Sequence, residues 1–177
     1  MMGDFTLRPA TPDDAADLAV VFNQPKVIYG TLRLPFTPEQ GLADWVEKLD
    51  QDSRMIVADV DGTLVGFVKL IRRRGRMAHV GSIFIAVHDA HHRKGIGRAL
   101  MDAAIDVADN WMGLVRLELE VLVPNTGAIA LYEACGFQIE GRARAGTLAD
   151  GVLVDHFIMA RLRASPERRA EDVAASP

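Results

Sequence analysis

Val87-His88-Asp89-Ala90-His91-His92-Arg93-Lys94-Gly95-Ile96-Gly97-Arg98 joins a β-branched run to an amphipathic helical pattern through a basic loop that carries two glycines. Glycine lets the main chain approach an anion closely, a helix N-terminus presents free N–H groups, and Arg93, Lys94 and Arg98 bring positive charge to the same place. The stretch therefore predicts a phosphate-binding turn. It is not a P-loop, because G-x-x-x-x-G-K-[ST] occurs nowhere in the chain. Nor is it a dinucleotide fingerprint, since Leu100 stands at the third glycine position and the run from Val87 to Gly95 is too long for a tight Rossmann turn.

Downstream, Leu117-Glu118-Leu119-Glu120-Val121-Leu122-Val123-Pro124-Asn125 reads as a strand that feeds a helix, followed by Ala128-Ile129-Ala130-Leu131-Tyr132-Glu133-Ala134-Cys135-Gly136-Phe137. Asn125 is a strong N-cap, and Gly136 suits the left-handed position that closes a helix. Asn125 and Tyr132 lie two turns apart on one face of that helix.

The remaining elements follow from periodicity and punctuation. Asp4 to Arg8 reads as a strand, and Thr11-Pro12-Asp13-Asp14 opens a helix that runs to Phe22. Thr37-Pro38-Glu39-Gln40 has capping-box spacing and predicts a second helix through Leu49, with Asn23 to Phe36 as the connection. Met55 to Val60 and Leu64 to Ile71 flank an Asp61-Gly62 turn, and residues 77–87 form the next strand. Leu100, Ala103, Ala104, Val107, Ala108 and Trp111 make an apolar stripe expected in the core. Phe137 to Thr147 and Val152 to Leu162 pair about Asp150-Gly151, which ends a single domain over 1–163; the Ala/Arg/Glu-rich stretch 164–177 is expected to be a flexible tail.

The chain's 177 residues suffice for one core of ordinary size. Its apolar runs fall short of a membrane span and its N-terminus lacks signal-peptide character, so a cytoplasmic protein with no membrane partner is expected. A net charge of −4 argues against a nucleic-acid partner and makes the local basic cluster at 93–98 more telling. Cys135, the single cysteine, excludes an intrachain disulfide and reads as a small packed residue rather than an acyl carrier. His88, Asp89, His91 and His92 fit no closed metal set and lie in the loop already needed for phosphates, so no metal is expected.

Segment 92–97 resembles the [RQ]-x-x-G-x-[GA] acetyl-coenzyme A signature of the GNAT superfamily of N-acetyltransferases, with His92 in place of the usual Arg or Gln. Segment 121–137 is similar to that superfamily's V-x-x-x-N-x-x-A-x-x-x-Y-x-x-x-G-F. The resemblance implies an α/β (α+β) GNAT fold: a mixed, mostly antiparallel sheet of about seven strands with about four helices, splayed between the fourth and fifth strands. It implies that His92, Arg93, Lys94, Gly95, Ile96, Gly97 and Arg98 hold the pyrophosphate of acetyl-CoA. Ile85, Ala86 and Val87 would bond the pantetheine and thioester through their main chain, with Asn125 on the pantetheine arm and Tyr132 protonating the departing thiolate. A homodimer is a further implication.

The base is open. The position where some members of the superfamily carry Glu falls on Gly81; Glu118 is the preferred substitute, then Glu120, then His79. Strand parity puts both glutamates on the face opposite Leu117, Leu119 and Val121, where they serve either as base or as partners of nearby Arg and Lys side chains. Arg72-Arg73-Arg74-Gly75-Arg76 reads as a solvated hairpin tip.

Gln24-Pro25-Lys26-Val27, Thr31-Leu32-Arg33-Leu34-Pro35, Asp109-Asn110-Trp111, Arg116-Leu117-Glu118-Leu119 and Phe137-Gln138-Ile139-Glu140-Gly141 resemble a bacterial L-amino acid N-acetyltransferase subgroup. That likeness implies transfer to the α-amine of a free amino acid by direct attack. Tyr29, Thr31, Leu32 and Arg33, with Glu120, would then line the acceptor site, and Arg33 either pairs with the substrate carboxylate or stays a surface charge. The alternatives are acetylation of a protein N-terminus or a polyamine, and an acyl-CoA-binding regulatory module without turnover.

Overall fold

Alternation along the central strands, with one slip at a β-bulge about Val65, decides what each side of the sheet buries. In β3 (Thr63–Arg72), Leu64 and Phe67 pack to one side with Phe22, Met55 and Val57, while Val65, Val68 and Leu70 pack to the other with Leu100, Met101 and Ala104. The computed structural model describes residues 5–31 and 33–163. Its single seven-stranded sheet runs β1-β2-β3-β4-β5-β7-β6 and also contains β1 (Thr6–Pro9), β2 (Ser53–Val60), β4 (Val80–Val87), β5 (Arg116–Leu122), β6 (Gln138–Ala149) and β7 (Val152–Leu162). Helices α1 (Ala15–Phe22) and α3 (Leu42–Glu47) cover one face; α4 (Ile96–Asp106) and α5 (Thr126–Ala134) cover the other. No helix among the described residues is long and apolar enough to cross a membrane.

All neighbouring strands run antiparallel except β4 and β5. That parallel pairing spans only Val80↔Arg116, Gly81↔Leu117 and Ser82↔Glu118. Beyond it β4 stays with β3 as far as Val87, and β5 stays with β7 as far as Leu122, so the sheet splays as expected and a cleft opens between its halves.

Several local expectations are corrected. A fifth helix, α2 (Pro25–Gly30), occupies part of the predicted connection; Val27 is buried, and the Lys26 N–H donates to Asp89 at 3.0 Å. The next helix starts at Leu42 rather than at Pro38, because Thr37 is held in a reciprocal main-chain exchange with the Asn23 side chain at 2.8 and 2.9 Å. Residues 77–79 precede β4 in a short turn, anchored where Arg72 donates to the Ala78 carbonyl at 2.8 Å. Trp111 is 80% exposed and outside the core. After α4 the chain widens into a π-turn over Val107–Trp111, with Met112 N–H bonded to Val107 O at 2.9 Å; this rotates Trp111 off the stripe and gives the buried place to Leu114. Arg161 holds that turn through a two-point pair with Asp109 at 2.7 and 2.9 Å. Leu32 and the tail 164–177 lie outside the described residues.

Candidate active site

The cleft has two lobes. The first, about 470 Å³, lies between the edge of β4 and the N-terminal ends of α4 and α5, and Ile85, Ala86, Val87, His92, Arg93, Gly97, Asn125 and Tyr132 line it. Its floor is set by backbone conformation. Arg93 and Gly95 take φ of +60° and +83°, which turns the chain into α4 with Gly95 as its N-cap. The first main-chain bond of the helix runs from Ala99 N–H to Gly95 O at 3.0 Å, so the N–H groups of Ile96, Gly97 and Arg98 have no intrahelical acceptor. A Cβ at Gly97 would stand 3.3 Å from Leu131, in space the lobe now owns. Past Ser82 the β5-facing side of β4 has no strand partner, which leaves main-chain groups of residues 83–87 available. Free donors at a helix N-terminus, an open strand edge and a gap that only glycine leaves together fit a phosphate with an extended arm.

The loop's side chains serve mainly to shape it. His88 Nδ1 accepts from Ala90 N–H at 3.1 Å, His92 Nε2 is 2.9 Å from Val87 O, and Asp89 accepts from Lys26 N–H. Arg98 grips Asp102 through two contacts of 2.8 Å and reaches Ala134 O at 3.3 Å. Lys94 is exposed and Ile96 is buried in the core, so neither side chain lines the lobe.

Tyr132 stands where the lobes meet, lining both together with Gly30, Thr31 and Ile85. It is 8% exposed, and burial pushes its phenol up to about 12, with the nearby Cys135 adding slightly. Asn125 Oδ1 accepts from Ala128 N–H at 3.3 Å and fixes the start of α5, while a Cβ at Gly30 would come within 3.2 Å of Asn125 Nδ2. Helix α2 thus roofs the cleft by touching α5 from the other half of the sheet. Buried Cys135 ends α5, and its thiol is also pushed up by burial.

The second lobe, about 520 Å³, opens between β4, β5 and β7 and is lined by Ser82, Phe84, Arg73, Glu118, Glu120 and His156 among others. Both Glu118 oxygens are taken, one by Arg73 at 2.5 Å and the other by Arg116 at 2.6 Å, and Arg116 continues to Glu140. As placed, Glu118 anchors an ion-pair chain, with an arginine on each of its oxygens. Glu120 is half exposed, with Oε2 3.6 Å from His156 Nε2.

Other expected residues lie elsewhere. The Arg33 guanidinium stacks 3.7 Å from the Phe22 ring centroid and 5.4 Å from that of Trp45, so it is neither in the cleft nor a free surface charge; burial lowers its pKa. Tyr29 is 40% exposed and lines neither lobe. His79 sits in the turn before β4, its carbonyl accepting from Val115 and Arg116. Gly81 is enclosed by Leu70, Leu114 and Leu117, so a side chain there would enter the core rather than the cleft. Gly30, Arg73 and His156 also line the cleft, and no local sequence pattern marks them as site residues. Arg73 belongs to a run of basic residues that reads as a solvated tip but here pairs with Glu118, and only the β5–β7 register, which sets Leu122 opposite His156, brings the histidine to the cleft.

The acetyltransferase (GNAT) family matches residues 23–137 of this chain. An L-amino acid N-acetyltransferase of Escherichia coli K12 is 33% identical over 165 residues, which is 92% of this chain and 100% of that protein. A spermidine N(1)-acetyltransferase of Vibrio cholerae is 29% identical over 80% of this chain and 83% of its own. Among solved structures, spermidine N-acetyltransferase from Vibrio cholerae in complex with CoA and spermine aligns with a TM-score of 0.79 and 26% identity, covering 90% of this chain and 95% of that one.

Proposed function

The chain belongs to the acetyltransferase (GNAT) family, and from that premise we propose that it transfers the acetyl group of acetyl-CoA to the α-amine of a free L-amino acid. The placement of Tyr132, buried and lining both lobes, carries this proposal. One lobe takes the donor, the other the acceptor, and the phenol lies between them.

The free N–H groups at the start of α4, with Arg93 beside them, bind the pyrophosphate, and the unpaired edge of β4 at Ile85, Ala86 and Val87 holds the pantetheine arm and polarises the thioester. Asn125 positions the arm from the other side. The amine nitrogen attacks the carbonyl carbon, the C–S bond breaks, and Tyr132, kept protonated by burial, gives its proton to the sulfur.

The charge of the acceptor lobe supports an amino acid over a polyamine. A polyamine needs several free carboxylates, yet Arg73 and Arg116 neutralise Glu118 and leave Glu120 as the one lining carboxylate without an arginine partner among the described residues. The polyamine alternative keeps its support from the spermidine relative. Specificity constants for L-methionine, L-phenylalanine, spermidine and a short peptide, with the acetylated product identified by mass spectrometry, separate them. A preference for the amino acids fits the proposal; a preference for spermidine overturns its acceptor.

A further inference from the structure

The acceptor lobe contains an imidazole that the steps above leave unused. His156 on β7 has a side chain 13% exposed and lines the lobe beside Glu120. The neighbouring strand is deformed around it. Strand β6 breaks register between Ala143 and Thr147, so Arg144, Ala145 and Gly146 bulge from the ladder. Asp155 pins the bulge, accepting from Ala145 N–H at 2.8 Å and pairing with Arg142 at 2.7 Å, and Ala145 is held at φ +51°. Gly146 then lies close against the ring: a Cβ there would come within 2.6 Å of Cε1 and 2.8 Å of Nδ1. Thr147 Oγ1 is 3.1 Å from Nδ1, and Glu120 Oε2 is 3.6 Å from Nε2.

We propose that His156 accepts the proton released by the attacking amine, with Thr147, Gly146 and Glu120 as its positioning residues. This inference rests on the acetyl-transfer reading of the same cleft. With Nδ1–H donating to Thr147 Oγ1, the Nε2 lone pair is free at the lobe, and the Glu120 carboxylate stabilises the imidazolium that forms. The proton balance closes. As the N–C bond forms, nitrogen loses one proton to Nε2; as the C–S bond breaks, sulfur gains one from Tyr132; His156 then releases its proton to water and the phenolate recovers one.

The charged and titratable groups around His156 are Glu120 and the Glu118–Arg116 pair on β5, Arg73 after β3, Tyr132 on α5, and the Arg142–Asp155 pair with Arg144 on β6 and β7. Glu120 faces Nε2 without an arginine of its own among the described residues, so its removal acts directly on the imidazole.

The test is the pH dependence of kcat for the wild type, His156→Gln and Glu120→Gln, followed by thiol release from acetyl-CoA with saturating L-methionine or whichever panel amine the wild type acetylates. A thermal shift with CoA reports folding and donor binding. His156→Gln is expected to lower kcat at neutral pH by about 100-fold and to abolish the acidic limb, with the CoA shift retained. Glu120→Gln is expected to lower kcat severalfold with the CoA shift retained, because the imidazolium formed in the step loses the carboxylate 3.6 Å from it. Should His156→Gln fail to fold, Glu120→Gln decides alone, being half exposed. An active wild type with unchanged kcat in Glu120→Gln, or with wild-type kcat in His156→Gln, overturns this inference only; a wild type inactive on every amine overturns it together with the acetyl-transfer reading.

Discussion

Replacing Tyr132 with Phe separates chemistry from binding and folding. The hydroxyl is buried and its phenol is pushed up to about 12, so the acid is available throughout the working range. Burial and the neighbouring Cys135 cause that rise, and no residue among those described hydrogen-bonds the hydroxyl, so stability is expected to change by less than about 1 kcal/mol. A positioned general acid is worth about 10²-fold or more, or about 2.7 kcal/mol of barrier at 1.36 kcal/mol per decade. Tyr132→Phe should therefore lose at least about 100-fold in kcat while its KM for acetyl-CoA stays within about twofold, because the proposed pyrophosphate site at the other end of the lobe is untouched. Stopped-time thiol assays over an acetyl-CoA series give both constants, and a thermal melt gives the third quantity. A variant that keeps more than about a third of wild-type kcat removes the phenol from the reaction. The same burial predicts that wild-type kcat has no alkaline limb near pH 10, the ordinary tyrosine value.

Gly97→Leu fills the proposed donor lobe from 3.3 Å off Leu131, so acetyl-CoA affinity should fall about 100-fold by titration calorimetry while a thermal melt still shows a cooperative fold. Gly81→Val drives a side chain into Leu114, which a Cβ would approach at 2.7 Å; a loss of about 1–3 kcal/mol is expected by denaturant titration, and wild-type stability would contradict the enclosure. Burial alone would raise the Asp14 carboxyl, but hydrogen bonds from Arg8 and Thr11 outweigh it and hold the group below its usual range. Its native form binds the proton more weakly than the unfolded chain, so its stabilisation is present above pH 3.8 and fades as pH falls through the native value; Asp14→Asn should flatten that part of an acid melt.

The two segments that decide the fold were legible because their signals are local. Gly95, Asn125 and Gly136 each meet a backbone demand set by their immediate neighbours, and the structure gives them an N-cap with positive φ, a side-chain N-cap and a C-terminal φ of +87°. Helix α2 was not legible. Pro25-Lys26-Val27-Ile28-Tyr29-Gly30 is too short for an apolar period, and what fixes it is tertiary: Val27 in the core and the bond from Lys26 to Asp89. Trp111 followed a straight-helix stripe that the π-turn breaks, and Arg33 looked like a polar ligand because its aromatic partners, Phe22 and Trp45, are remote in sequence. The acceptor lobe was the least legible part. Parity placed Glu118 and Glu120 on one face, but which of them is neutralised depends on Arg73 arriving from the end of β3, and His156 depends on the register of β7.

The central claim is direct transfer between two lobes that meet at Tyr132. The measurement that tests it is a matrix of initial rates over acetyl-CoA and L-methionine, combined with the intact mass of the protein after incubation with acetyl-CoA alone. Direct attack predicts intersecting reciprocal plots and an unmodified chain, in keeping with a buried Cys135 thiol that burial holds protonated. Parallel plots with an acetyl group retained on the protein would contradict the account.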